Sequence, residues 1–147
     1  RYRQFHQINI EVIGSKAIEQ DVHFIKMLDR FFYENLHLDT YALLINFLGC
    51  YNDRAKYKGV LYNYLEKVQN DLCENCKIRK EKNIMSVFDC KNPQCQELYK
   101  EAPFITGNLC SICQKEWIDL KNNLEHLSVS YSHVPTLVQG LDYYSKT

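Results

Sequence analysis

Residues 1–14, RYRQFHQINIEVIG, set the first constraint on the fold. Strand side chains alternate between faces, so Arg1, Arg3, Phe5, Gln7, Asn9 and Glu11 share one side, and His6, Ile8, Ile10 and Val12 share the other. The second face reads as core. The first has two readings. It is the solvated side of an antiparallel sheet, or it is a ligand groove, since Arg grips phosphate with two donors, Phe stacks on a base, and Gln with Glu holds an ammonium group.

The pattern then changes period. Ile18, Val22, Ile25, Leu28, Phe32 and Leu36 recur at near-helical spacing and predict an amphipathic helix over 18–36. Residues 40–48, TYALLINFL, form a continuous apolar run ending at Gly49, which suits a strand buried on both faces. A turn at Asn52 and Asp53 caps a second helix whose inner stripe is Tyr57, Val60 or Leu61, Tyr64 and Val68.

Between about residues 70 and 127 the texture changes again, with six of the seven cysteines in LCENC, DCKNPQC and LCSIC. Cys73 with Cys76, and Cys110 with Cys113, have the two-residue gap that lets one turn offer two thiolates to a tetrahedral ion. These four form the candidate site for a structural Zn2+, with Cys90 and Cys95 between the pairs. The competing reading is reduced thiols held by local packing. His126 and His133 have two readings, as replacements for one of these ligands or as ordinary surface or helix-end histidines, and the second is favoured. A helix over 113–127 carries Trp117, Leu120, Leu124 and Leu127 on one stripe, and KIRKEK at 77–82 reads either as a solvated helix face or as a contact for RNA phosphates.

Composition bounds the rest. The chain has 147 residues, 46% hydrophobic content and a formal net charge of zero, so it is globular with no general affinity for polyanions. No apolar run approaches the roughly 20 residues needed to cross a bilayer, and no signal-peptide layout opens the chain, so a cytoplasmic setting with no membrane partner is expected. An odd cysteine count in that setting favours thiols or metal ligands over disulfides. Both ends read as cut, Arg1 lying inside a strand and Thr147 closing on no cap, so an excerpt of a longer protein is expected.

RYRQFHQINIEVIG resembles the distal half of motif 2 of class II aminoacyl-tRNA synthetases, with Arg1 four residues before Phe5. RQFHQ, KNPQCQELYKEAP and LVQGLDYY in that order resemble histidyl-tRNA synthetases, over essentially the whole chain. The resemblance implies an α+β fold: the antiparallel sheet of a class II catalytic core, interrupted by a helical, cysteine-containing insertion near the tRNA acceptor stem. It divides the chain into core residues 1–69, insertion residues 70–127, and a return to the core over 128–147. Arg1 would face the ATP γ-phosphate and Phe5 would stack on adenine. Gln7 and Glu11 would hold the histidine α-amino group, and Tyr143 and Tyr144 would line the imidazole pocket. The implied partners are histidine, ATP with Mg2+, tRNA and a second copy in a homodimer.

The departure is Gln139, where the family normally carries an arginine near the α-phosphate and the substrate carboxylate. Motif 1, the first half of motif 2, motif 3 and the anticodon-binding domain are not in these residues, so the excerpt by itself is expected to be an incomplete catalyst. Two alternatives stand beside the ligase. One is a non-catalytic paralogue like the regulatory subunit of ATP phosphoribosyltransferase, which Gln139 favours and RYRQFHQ disfavours. The other is a free-standing zinc RNA-binding module, which the run at 40–48 disfavours.

Overall fold

The computed structural model describes residues 4, 6, 10–138, 146 and 147. Their elements run α1 (Ile18–Arg30), a π-helical turn (Phe31–Asn35), β1 (Leu44–Ile45), α2 (Tyr51–Lys67), α3 (Glu74–Lys82), α4 (Pro93–Lys100), α5 (Ser111–His126) and β2 (Ser132–His133), with short 3-10 turns between α2 and α5. Helix dominates.

The expected antiparallel sheet is not what the described residues form. Their sheet is a parallel pair, with Leu44 opposite Ser132 and Ile45 opposite His133. Most of the opening strand lies outside the described residues, and its expected buried face does not form in the rest: Ile10 is 48% and Val12 44% exposed. Alternation buries a face only where a neighbour covers it, and among the described residues no strand pairs with this segment.

Helix α1 follows its stripe, burying Ile18, Val22 and Ile25. The stripe then fails at Leu36, which is 48% exposed. The cause is the π turn, where the Leu36 amide donates to the Phe31 carbonyl. One extra residue per turn rotates every later side chain off the buried face. His37, at φ 51, ends the helix.

Of the run at 40–48 only residues 45–48 are buried on both sides; Tyr41 and Leu44 stay 38% and 48% exposed, and only Leu44 and Ile45 join the ladder. Its residues sort with period two. Ile45 and Phe47 enter one core with Ile18, Val22, Ile25, Trp117, Leu120 and Leu124. Leu48 enters a second core with Tyr57, Leu61, Leu65, Leu72, Val87, Tyr99 and Ile105. Asn46, only 6% exposed, uses its amide to donate to the Pro135 and Leu137 carbonyls at 3.1 and 2.7 Å. The first core is therefore α1, β1 and α5, and the second is α2 wrapped by residues 72–105.

The basic stretch at 77–82 lies on α3 and is partly consumed by packing. Lys80 is 6% exposed, is paired with Glu66, donates to Gln69 Oε1 at 2.7 Å, and lies 5.0 Å from the Tyr62 ring centroid. Arg79 donates to the Ser86 carbonyl at 3.0 Å, and Lys77 pairs with Glu74 at 2.8 Å. Lys80 is thereby withdrawn from any phosphate.

Candidate metal centres

A two-residue gap between cysteines has a local cause. Cys73 and Cys110 are the N-cap residues of α3 and α5, so Cys76 and Cys113 fall three positions later, in the first helical turn. The two thiols of such a pair face the same end of the helix, where backbone N–H groups are unpaired and the helix dipole favours negative charge. Cys50 and Asp53 repeat this spacing at the start of α2, with Cys50 as N-cap and Asp53 closing a capping box.

The structure does not unite Cys73, Cys76, Cys110 and Cys113 in one site. It gives each pair its own partners: Cys73 and Cys76 converge with Cys90 and Cys95, while Cys110 and Cys113 converge with Cys50 and Asp53. Within each group the ligand atoms all lie within 4.8 Å of one another. The pairing depends on how α2, α3 and α5 pack, which the local spacing does not encode. The signals that point to it in the sequence are the Cys90 to Cys95 spacing in DCKNPQC and the repeat of the cap spacing at Cys50 and Asp53.

The first group suits a metal ion on several grounds. Cys76, Cys90 and Cys95 are buried, Cys73 is half-buried, and Cys73 Sγ lies 3.8 Å from Cys90 Sγ. The Cys73 amide donates to Cys95 Sγ and the Asn92 amide to Cys90 Sγ, both at 3.4 Å. Such N–H···S contacts hold thiolates in place around an ion. The Cys76 backbone amide, helped by the neighbouring thiols, lowers the Cys73 thiol to about 7, while burial raises Cys76 and Cys95. The Tyr99 hydroxyl is buried without a hydrogen-bond partner beside the Cys76 thiol. A thiolate there would accept a hydrogen bond from it. Four sulfur ligands match a tetrahedral d10 ion. Cys73 and Cys90 also line a surface cleft with Arg79 and Lys91, whose charges oppose the excess negative charge of four thiolates.

In the second group the Asp53 carboxylate is held at both oxygens, Oδ1 accepting from the Cys110 amide at 2.9 Å and Oδ2 from the Cys50 amide at 3.2 Å. Burial works to raise its pKa, but the Cys113 thiol and these two amides outweigh it and hold the carboxyl below the ordinary value. Burial raises Cys113. Neither histidine joins either group: His126 bonds the Asn122 carbonyl at 2.6 Å, and His133 packs 5.0 Å from Trp117.

Of the other candidate residues, Arg1, Phe5, Gln7, Gln139, Tyr143 and Tyr144 lie outside the described residues, and Glu11 is exposed. The flanks of the tyrosine motif are described. Asn46 binds the backbone at 135 and 137, and beyond the motif Lys146 pairs with β1's extension, its amide donating to the Gly49 carbonyl at 3.0 Å and its carbonyl accepting from Leu48 at 2.6 Å. Among the described residues no helix is long and apolar enough to cross a membrane.

No family model matches the chain. All of it aligns with histidine–tRNA ligases, at 41% identity for that of Thermodesulfovibrio yellowstonii, 42% for that of Clostridium perfringens and 40% for that of Clostridioides difficile. It spans 35% of the length of each of these relatives. Among solved structures, apo Staphylococcus aureus histidyl-tRNA synthetase superposes with a TM-score of 0.64 at 26% identity, covering 90% of this chain and 31% of that one.

Proposed function

For a chain related along its whole length to a segment of the histidine–tRNA ligases, we propose that the whole protein is such a ligase, an ATP-dependent enzyme of the cytoplasm that activates histidine and transfers it to tRNA. The observation that carries this is the end-to-end alignment at 41% identity. In this reading the histidine carboxylate attacks the ATP α-phosphorus and releases pyrophosphate, with Mg2+ screening the phosphates. The residues are class II catalytic core over 1–69 and 128–147, with 70–127 as an insertion approaching the tRNA acceptor stem; the protein works as a homodimer.

Arg1 binds the γ-phosphate and Phe5 stacks on adenine. Gln7 and Glu11 hold the histidine α-amino group, and Tyr143 and Tyr144 read the imidazole. A pocket built on hydrogen bonds rejects side chains that leave its polar groups unpaired. Asn46 binds the backbone at 135 and 137, and Lys146 pairs with Gly49, on either side of the tyrosine motif in sequence. Zinc would be held by Cys73, Cys76, Cys90 and Cys95, and when bound would supply a cross-link between α3 and α4, without chemistry of its own.

Gln139 sits where an arginine would stabilise charge growing at the α-phosphate. In the full-length protein Gln139→Arg should raise histidine-dependent pyrophosphate exchange by about two to three powers of ten while changing histidine affinity much less. Ordinary exchange without the arginine would show that another cation fills the role. Histidine binding with no exchange from either form would point to a regulatory paralogue.

A further inference from the structure

We propose that Cys50, Asp53, Cys110 and Cys113 form a second metal centre, which holds a zinc-class divalent ion on three thiolates and one carboxylate and locks the base of the helical segment 51–109. This claim stands apart from the ligase reading and from the four-cysteine centre.

The bland account of these residues is helix capping. It explains Asp53, which closes the α2 capping box, and it explains why the Cys110 thiol accepts from the Cys113 amide at 3.5 Å. It does not explain the thiols. Ser, Thr, Asp and Asn are the strong N-caps, and cysteine offers only a weak acceptor. Yet both helices begin on cysteine, and a third thiol meets them within 4.8 Å. Three thiols and a carboxylate, each offering one ligand atom to a common point, make a four-coordinate set with soft donors.

The surroundings suit an ion. Two backbone amides orient the Asp53 carboxylate, one on each oxygen, and leave a lone pair on each for a metal. Three thiolates and a carboxylate around a divalent ion carry an excess of negative charge, and the N-termini of α2 and α5 converge on it with their positive dipole ends. The chain also comes unusually close. Gly49 has φ +64, and a Cβ there would stand 2.7 Å from both Asp53 Oδ2 and Leu109 Cδ2. Only glycine permits that approach.

Position gives the centre its role. The chain leaves the α1–β1 core at Cys50 and returns to it at Cys110. Leu109, next to the ligand, packs against both cores, while Cys50 and Cys113 belong to the α1–β1–α5 side. An ion here closes the long loop 50–110 at its neck and holds the two cores in register.

The test is metal content of the full-length protein purified without added metal. About two zinc ions per chain are expected, falling to about one in Cys90→Ser and separately in Cys110→Ser. Cobalt(II) loaded into Cys90→Ser should show the thiolate-to-cobalt charge-transfer bands of a site with fewer sulfurs than the wild-type pair average. One zinc in the wild type, untouched by Cys110→Ser, overturns the proposal. So does thiol titration of the denatured, metal-free protein finding five free thiols in place of seven, since Cys110 and Cys113 would then be a disulfide. Because Cys110 is exposed, its serine variant should fold, and the wild-type count decides the matter even if Cys90→Ser does not. Two zinc ions in a protein that shows no pyrophosphate exchange either as wild type or as Gln139→Arg would remove the ligase reading and leave this one intact.

Discussion

The Cys73 group lies inside a hydrophobic core, with Cys76, Cys90 and Cys95 counted among that core's buried residues; the Cys50 group lies at the seam where that core meets the other, with Cys110 exposed. Both begin from the same local device, a cysteine at the N-cap and a second ligand three residues on. What separates them is what the remaining ligands bring. Cys90 and Cys95 come from the same small module, so an ion there holds that module to itself. Cys50 and Asp53 come from the neck, so an ion there holds the module to the rest. The same spacing in sequence thus serves folding in one place and attachment in the other.

The sharpest way to break this distinction is to remove a ligand from the enclosed centre. Structural zinc binding supplies about 10–16 kcal/mol, as much as the whole stability of an ordinary domain. Residues 72–105 have few long elements to replace it: α3 has 9 residues and α4 has 8. Cys95→Ala should therefore strip amide-exchange protection from α3 and α4 while α1 and α5 keep theirs. Equal loss in all four helices would mean that the two cores unfold as one unit.

The reciprocal experiment strikes the other core. Trp117 stacks on Phe47 at 5.6 Å and meets His133 at 5.0 Å, joining α5 to β2 and to the segment just after β1. Trp117→Ala should cost about 3–5 kcal/mol by denaturant unfolding, and the protein should retain the zinc of the Cys73 centre. Loss of that zinc would show the module depends on its neighbour.

These contrasts mark where sequence reading succeeds. The α5 stripe was legible because burial there follows helical period, at Trp117, Leu120 and Leu124; on α2 the period held for Tyr57 and Leu61, but Leu65 is buried where Tyr64 and Val68 are expected, and those two are only half-buried. Leu61, and not Val60, took the ambiguous position. Leu127 fell off the α5 stripe because it is the C-cap, 41% exposed. The run at 40–48 announced burial on both faces, which holds only for 45–48, and not its partner, since Ser132 and His133 carry no strong strand signal and the ladder is two residues long. The cysteines showed which residues ligate and not with whom. Local spacing places two thiols on one turn; choosing the other two ligands is a question of tertiary packing.

A smaller effect is expected at Asn46, which ties the core to the backbone at residues 135 and 137. Its amide serves the Pro135 and Leu137 carbonyls, and its oxygen accepts from the Phe47 amide at 2.8 Å and contacts His133 Nε2 at 3.2 Å. Asn46→Ala should cost about 1–3 kcal/mol, the cost of leaving buried polar groups unpaired. If the clamp positions Tyr143 and Tyr144, the KM for histidine should rise more than kcat falls in the full-length protein. An unchanged KM with the same loss of stability would make Asn46 structural only.

The least effect is expected from His133, and its sign follows from its environment. Burial against Trp117, with a lesser contribution from the Lys121 charge, lowers its pKa below the ordinary histidine value. The folded chain then takes up a proton less readily than the unfolded chain. Between the depressed folded value and the unfolded value of about 6.5, the unfolded state binds more protons, so stability rises with pH through that window. Above it both forms are neutral and the contribution is complete; as pH falls through the folded value it is lost. The contact with Asn46 Oδ1 does not reverse this, because a neutral ring bearing its proton on Nε2 already donates there. The side chain keeps substantial contact with solvent, which screens Lys121 and keeps the effect small. Denaturant midpoints measured from pH 5 to 8 should therefore rise slightly with pH in the wild type, and the rise should shrink in His133→Asn. A slope of opposite sign that vanishes in the variant would mean that the ring is charged in the folded protein and that its packing against Trp117 has been misread.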